Sequence, residues 1–285
     1  MKSMRNFLLL LFLFSLGVLP VRSQQARNLL HRAAARLEPD TSWLADNGWI
    51  TFPAYEDRDG WNRIPSGLRE GYIREAERYA GYRWPVVKAA DYLEFSRSGD
   101  RQHMERLQEE RMNALRALAL GELMEGRGRF LDDLANGVFS FCQQSYWGLS
   151  ACLYMHQRGK TEWNSLLGET NLPDIEDPII DLWVGEAGAD LAWIYYFFKE
   201  TFDGITPVLS RRLQAELDRR ILEPFYARND YWWITGWGRG NVNNWTPWCN
   251  HNVLTVILLA EDDPAKKRSG VLKTMTSVDL FYNIY

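Results

Sequence analysis

Nearly every block of this chain repeats its apolar residues three and four positions apart, and almost none alternates them. That period lays an apolar stripe along one face of an α-helix and leaves a β-sheet no face to bury. The spacing predicts helices over 25–37, 68–79, 84–95, 104–123, 181–198, 208–225, 248–260 and 265–285. A longer apolar stretch over 130–155 is expected to break near Gly148. Breakers fall between the blocks, among them Pro53 and Pro65, Ser98 and Gly99, Gly159, Pro173 and Pro178, Gly204 and Pro207, and Asp262 to Pro264. Eight or nine helices with short links predict one all-α domain of helical hairpins. Two connectors, 43–65 and 229–247, are long and rich in Trp, Asn, Asp and Gly. Long loops on a rigid scaffold are where function concentrates.

The first residues have a different purpose. Lys2 and Arg5 precede the apolar run Phe7 to Leu19, followed by Pro20 and the small residue Ser23. That is the pattern of a secretory signal peptide, and the run is shorter than the about 20 residues a bilayer requires. Cleavage is expected after Ser23, leaving a domain of residues 24–285, exported to the periplasm or secreted, with no membrane span. Three of the 33 Lys and Arg depart with the signal, leaving 30 against 37 acids. An acidic mature chain argues against a nucleic-acid partner, since phosphate binding needs clustered cations. Cys142, Cys152 and Cys249 are too few for a disulfide scaffold and leave at least one free thiol. With four histidines and no HExxH or CxxC pair, no metal site and no cofactor is expected.

The aromatic content, 13 each of Trp, Tyr and Phe, suggests flat rings presented to sugars, whose C–H faces are apolar and whose edges are polar. The richest stretch runs from Tyr231 through Trp232, Trp233 and Trp237, then from Asn243 and Asn244 through Trp245, Trp248, Asn250 and His251. Pro247 suits the first turn of the apolar helix that follows, with Asn or Thr as its cap. A helix start offers unpaired N–H groups and a positive dipole, which suit a sugar carboxylate. Asn244 is placed just ahead of that start, with Asn250 and His251 close enough along the helix to share its face. Trp232, Trp233 and Trp237 are read as sugar platforms, with Trp245, Trp248, Trp147 and Arg239 beside them.

This stretch resembles the heparinase II/III-like polysaccharide lyases, in which an Asn-Asn-Trp segment also leads through an aromatic-rich turn into an apolar helix. Trp84-Pro85-Val86 through Phe95 is similar to that family's Trp-Pro helix, and Gln143 through Gly148 to its Ser-x-Trp segment. Asp181-Leu182, Gly185-Glu186-Ala187 and Ala192 through Tyr196 resemble its Asp-Leu…Glu-Thr-Ala…Tyr-Tyr helix. The resemblance covers residues 40–285. It implies an incomplete α/α toroid whose C-terminal β-rich domain is absent. It also implies cleavage of uronate-containing polysaccharides, such as glycosaminoglycans or alginate, by β-elimination. That reaction needs a neutraliser for the carboxylate, a base for the adjacent C5–H and an acid for the leaving oxygen. By position the resemblance gives Asn244 as neutraliser, with Asn243 second; His251, the one histidine of this segment, has an ordinary pKa near 6.5 that suits proton transfer. The acid it implies is a tyrosine on a helix beyond Tyr285, so a chain of this extent is expected to bind without turnover. Many family members carry His where this chain has Cys152.

Two other readings compete with a lyase: an α/α-toroid glycoside hydrolase, and a non-catalytic glycan-binding protein. A hydrolase needs two carboxyls flanking one bond, and the aromatic loop holds only Asp230. Glu186 and Asp190, four apart on one predicted helix, are read as an ordinary charge pair. His156 is read as a helix-end residue, Glu109 to Arg111 as a solvated face, and Asp57, Asp59 and Trp61 as candidates to line a sugar cleft.

Overall fold

The computed structural model describes residues 26–36, 44, 48–156, 171–236 and 242–284. The protein is all-α, with no strand among the described residues. The helices in chain order are α1 (Leu29–Ala34), α2 (Arg58–Asn62), α3 (Ser66–Glu77), α4 (Ala89–Ser98), α5 (Gln102–Glu125) and α6 (Leu131–Gln143). A 3-10 segment, Ser150–His156, follows. Beyond it come α7 (Leu182–Ile205), α8 (Pro207–Leu217), a π-helical turn (Asp218–Leu222), α9 (Glu223–Ala227), α10 (Trp232–Thr235), α11 (Trp245–Ala260) and α12 (Pro264–Ile284).

Proline sets several of these boundaries. The helix expected from Trp84 begins only at Ala89, because Pro85 holds Trp84 extended and the Pro85 carbonyl accepts from Arg111 instead. Helix α7 runs past the expected Phe198 to Ile205 and stops where Thr206, extended ahead of Pro207, caps α8. Pro224 has no N–H for the carbonyl four residues back, and the chain widens into the π-helical turn just before it. That keeps 207–227 one continuous helical run.

Helix α5 packs chiefly on α3, and α11 packs on α7 and α12. Gly121 of α5 permits the first approach, since a Cβ there would stand 2.2 Å from that of Ala76. The stretch 144–149 breaks the expected long helix of 130–155 where Gly148 meets α7: a Cβ would lie 2.4 Å from Asp181 Oδ2. Asp181, fully buried, caps α7 by accepting from Val184 N (2.7 Å), and accepts from Tyr146 Oη (2.7 Å) and Leu149 N (3.2 Å). Burial raises its carboxyl above the usual range.

A second polar hub is Glu216, which binds Arg212 (2.9 Å), Arg219 (2.7 Å) and Arg220 (2.7 Å). Burial pushes its carboxyl up, but Arg220 and Arg219 outweigh that and hold it below the usual range. Arg220 also donates to the Ser145 carbonyl (2.9 Å) and the Gln144 carbonyl (2.6 Å), and lies over the Trp147 ring. The two ends of the described chain meet. Asp279 on α12 accepts from Leu30 N (2.9 Å) and His31 N (2.6 Å) of α1, and Asn28 pairs with Asn283.

All three cysteines are free and buried, and burial raises each thiol. They are therefore poor nucleophiles. No helix among the described residues is long and apolar enough to cross a membrane.

Candidate functional site

The start of α11 divides its two asparagines by task. Asn243 Oδ1 accepts from Trp245 N (2.8 Å) and its carbonyl from Thr246 N (3.0 Å), so Asn243 performs the capping. Asn244 already has helical dihedrals, makes no side-chain cap bond and is exposed. At 100° per residue, Trp248 and His251 fall on the same stripe as Asn244, with Thr255 next, and none of the four is buried. Trp248 keeps 43% of its surface.

Asn250 does not share that face. Six residues from Asn244, it points about 120° away. It is 1% exposed and donates through Nδ2 to Thr246 O and to Ser277 Oγ of α12, both at 2.8 Å. Ser277 Oγ in turn donates to the Ile234 carbonyl of α10 (3.1 Å). Asn250 thus ties α10, α11 and α12 together and is no candidate for chemistry.

The tryptophans expected as platforms separate in the same way. Trp233 has no exposed surface, is stacked beside Tyr231 (5.4 Å) and Phe225 (6.4 Å), and donates to the Ile180 carbonyl (2.9 Å). Trp147 is likewise fully buried, with its indole N–H on the Phe141 carbonyl (2.8 Å). Trp232 is 6% exposed and packs at 5.1 Å against the half-buried Trp245. These three are core residues, and Trp147 and Trp233 satisfy their N–H groups there as well. Trp237 and Arg239 lie outside the described residues.

Other expectations resolve into structure. Asp57 caps α2, and Trp61 is buried with its N–H on the Ala54 carbonyl. His156 donates from Nδ1 to the Asp177 carbonyl (2.8 Å) and accepts at Nε2 from Asp174 N (3.3 Å). Burial lowers its pKa, as suits a neutral ring pinning the 174–177 loop.

The sequence reading missed a cluster beside the Asn244 stripe. Trp248 Nε1 donates to Glu186 Oε1 (3.0 Å) of α7. Arg116 of α5 reaches Glu186 Oε2 (3.6 Å) and donates through Nε to Asp190 Oδ2 (2.6 Å). Farther along the same α7 face stands Trp193, met edge-on at 5.9 Å by both Trp49 and Phe52. The four-residue spacing of Glu186 and Asp190 was visible; Arg116, which turns the pair into a cluster, is 74 residues from Asp190.

Burial raises the Asp190 carboxyl to about 6 against the pull of Arg116. The folded state therefore holds this proton more tightly than an unfolded chain, where the value is near 3.9. Its contribution to stability is full below about pH 4 and is lost as pH rises through about 6. The side chain keeps 23% of its surface, which trims the effect to about 1–3 kcal/mol. Thermal melts from pH 4 to 7 should therefore slope less for Asp190→Asn than for the parent; parallel slopes would mean the carboxyl titrates normally.

No protein-family model and no curated protein matches this chain.

Proposed function

We propose that this chain is the helical part of an exported polysaccharide lyase, an incomplete α/α toroid that binds uronate-containing polysaccharide for β-elimination. The reading draws on the resemblance of the Asn243–Asn252 and Asp181–Tyr196 segments. The observation that carries it is the uncommitted amide of Asn244. Because Asn243 caps α11, Asn244 is free to meet a ligand at the positive end of a 16-residue helix. Its amide N–H and the helix N-terminus would neutralise the uronate carboxylate and make the adjacent C5–H acidic.

His251 sits about 10 Å farther along the axis, and helical side chains lean toward the N-terminus. A disaccharide laid along the stripe, with Trp248 beneath it, spans the two. In this reading His251 is the candidate to take the proton, while an acid from outside the described site protonates the leaving oxygen.

Hydrolysis is disfavoured by placement. Glu186 and Asp190 occupy one face of one helix and share one guanidinium. Two such carboxyls cannot stand on opposite sides of a glycosidic bond.

Calorimetric titration of the 285-residue chain with a uronate oligosaccharide tests the reading. A hydrogen bond to a charged group contributes about 1.5–3 kcal/mol, so Asn244→Ala should weaken binding about tenfold or more. Unchanged affinity in that variant would sink the proposal. Absorbance of an unsaturated uronate product separates elimination from hydrolysis, which frees reducing ends without it.

A further inference from the structure

Beside the Asn244 stripe, the α7 face carries a row of groups of which only Trp248 also serves the uronate. At one end Trp248 is held over α7 by its bond to Glu186. In the middle stand the carboxylates of Glu186 and Asp190 with the guanidinium of Arg116. At the other end Trp193 supports Trp49 and Phe52, which keep 46% and 57% of their surfaces. Glu186 and Trp193 are seven residues apart, so the exposed rings stand about 10 Å from each other along the axis, either side of the charges.

Two exposed aromatic ends around a hydrogen-bonding centre would be an expensive surface to leave in water, and each part suits a different portion of a sugar. Rings take the apolar C–H faces. Carboxylates accept hydroxyl protons, and Arg116, whose side chain is 40% exposed, donates to ring or hydroxyl oxygens. The centre carries two acids against one cation, so a sulfate or second carboxylate placed there meets net like charge.

We propose that this strip is a second saccharide subsite, selecting an uncharged, unsulfated sugar next to the uronate; it rests on the reading of Asn244 as the uronate end. The glycan it fits therefore alternates uronate with a neutral sugar, rather than being a polyuronate or a heavily sulfated chain. Trp49 and Trp248 supply the ring contacts, and Glu186 and Asp190 supply the discrimination.

The test uses the 285-residue chain and two probes at one ionic strength: an oligosaccharide alternating glucuronate with N-acetylglucosamine, and the same backbone bearing N- and O-sulfates. The unsulfated probe should bind at least about tenfold more tightly. The double variant Glu186→Gln/Asp190→Asn should erase that preference, and Trp49→Ala should weaken the unsulfated probe about tenfold while Trp49→Phe restores most of it. Melting curves of each variant report folding separately.

Equal or tighter binding of the sulfated probe overturns the subsite, as does failure of both probes to bind or an unchanged preference in the carboxamide variant. Asn244→Ala distinguishes the two proposals. It should weaken both probes equally and leave the preference intact. If it changes neither affinity while Trp49→Ala weakens binding, the uronate reading fails and the strip stands.

Discussion

Replacing Arg220 by alanine should lower the stability by about 3–4 kcal/mol in urea denaturation. Arg220 is 6% exposed and its guanidinium bonds three groups at once: Glu216 within its own helical run and the carbonyls of Gln144 and Ser145 in the break after α6. Removing it strands the buried Gln144 carbonyl, leaves that of the exposed Ser145 to water, and uncovers the Trp147 ring. Glu216 keeps Arg212 and Arg219, which holds the loss below that of a fully orphaned charge. Arg212→Ala is the control. Its side chain is 48% exposed, so the change should cost under about 1 kcal/mol. Arg212 also donates to the Cys142 carbonyl (3.0 Å), so equal losses in the two variants would mean that the buried carbonyl contacts of Arg220 add nothing beyond what the exposed Arg212 supplies.

Trp233→Ala should be comparably severe, about 3–5 kcal/mol. The ring lies nearly parallel to Tyr231 (7°) and to Phe225 (3°), with no exposed surface, so truncation opens a cavity that flat neighbours cannot fill. It also leaves the Ile180 carbonyl without its donor. Trp233→Phe should retain much of the packing and lose mainly the hydrogen bond, about 1 kcal/mol. Trp248→Ala makes the contrast: at 43% exposure it should barely move the denaturation midpoint yet weaken glycan binding. A Trp233→Ala protein that melts like the parent would return that residue to the list of sugar platforms.

Helices were legible in the sequence because the 3.6-residue period is a local signal. The segments 66–77, 102–125, 182–205 and 245–260 lie within a few residues of their expected positions, apart from the tail of α7. What the period could not carry was the consequence of proline at a distance, as in the delayed start of α4 and the π-helical turn before Pro224. The site was legible only in part. Asn244 and His251 share a stripe because seven residues make almost two turns; Asn250 does not, because six fall a third of a turn short. Burial of Trp147, Trp232 and Trp233 was invisible, since a tryptophan looks the same in sequence whether its partner is a sugar or a carbonyl. Arg116 could not be foreseen, because no local pattern announces a cation arriving from another helix.

The pairing of residues 28–31 with 279–283 also constrains the order of assembly. Asp279 is 3% exposed and its carboxylate is matched to N–H groups made about 250 residues earlier. Until that carboxylate emerges from the ribosome, the first turn of α1 has only water for its donors. Closing a loop of this length carries an entropic cost that nothing within the first helix repays. Helix α1 is therefore among the last pieces to set, and a chain whose synthesis halts before α12 would keep α1 loose and protease-sensitive.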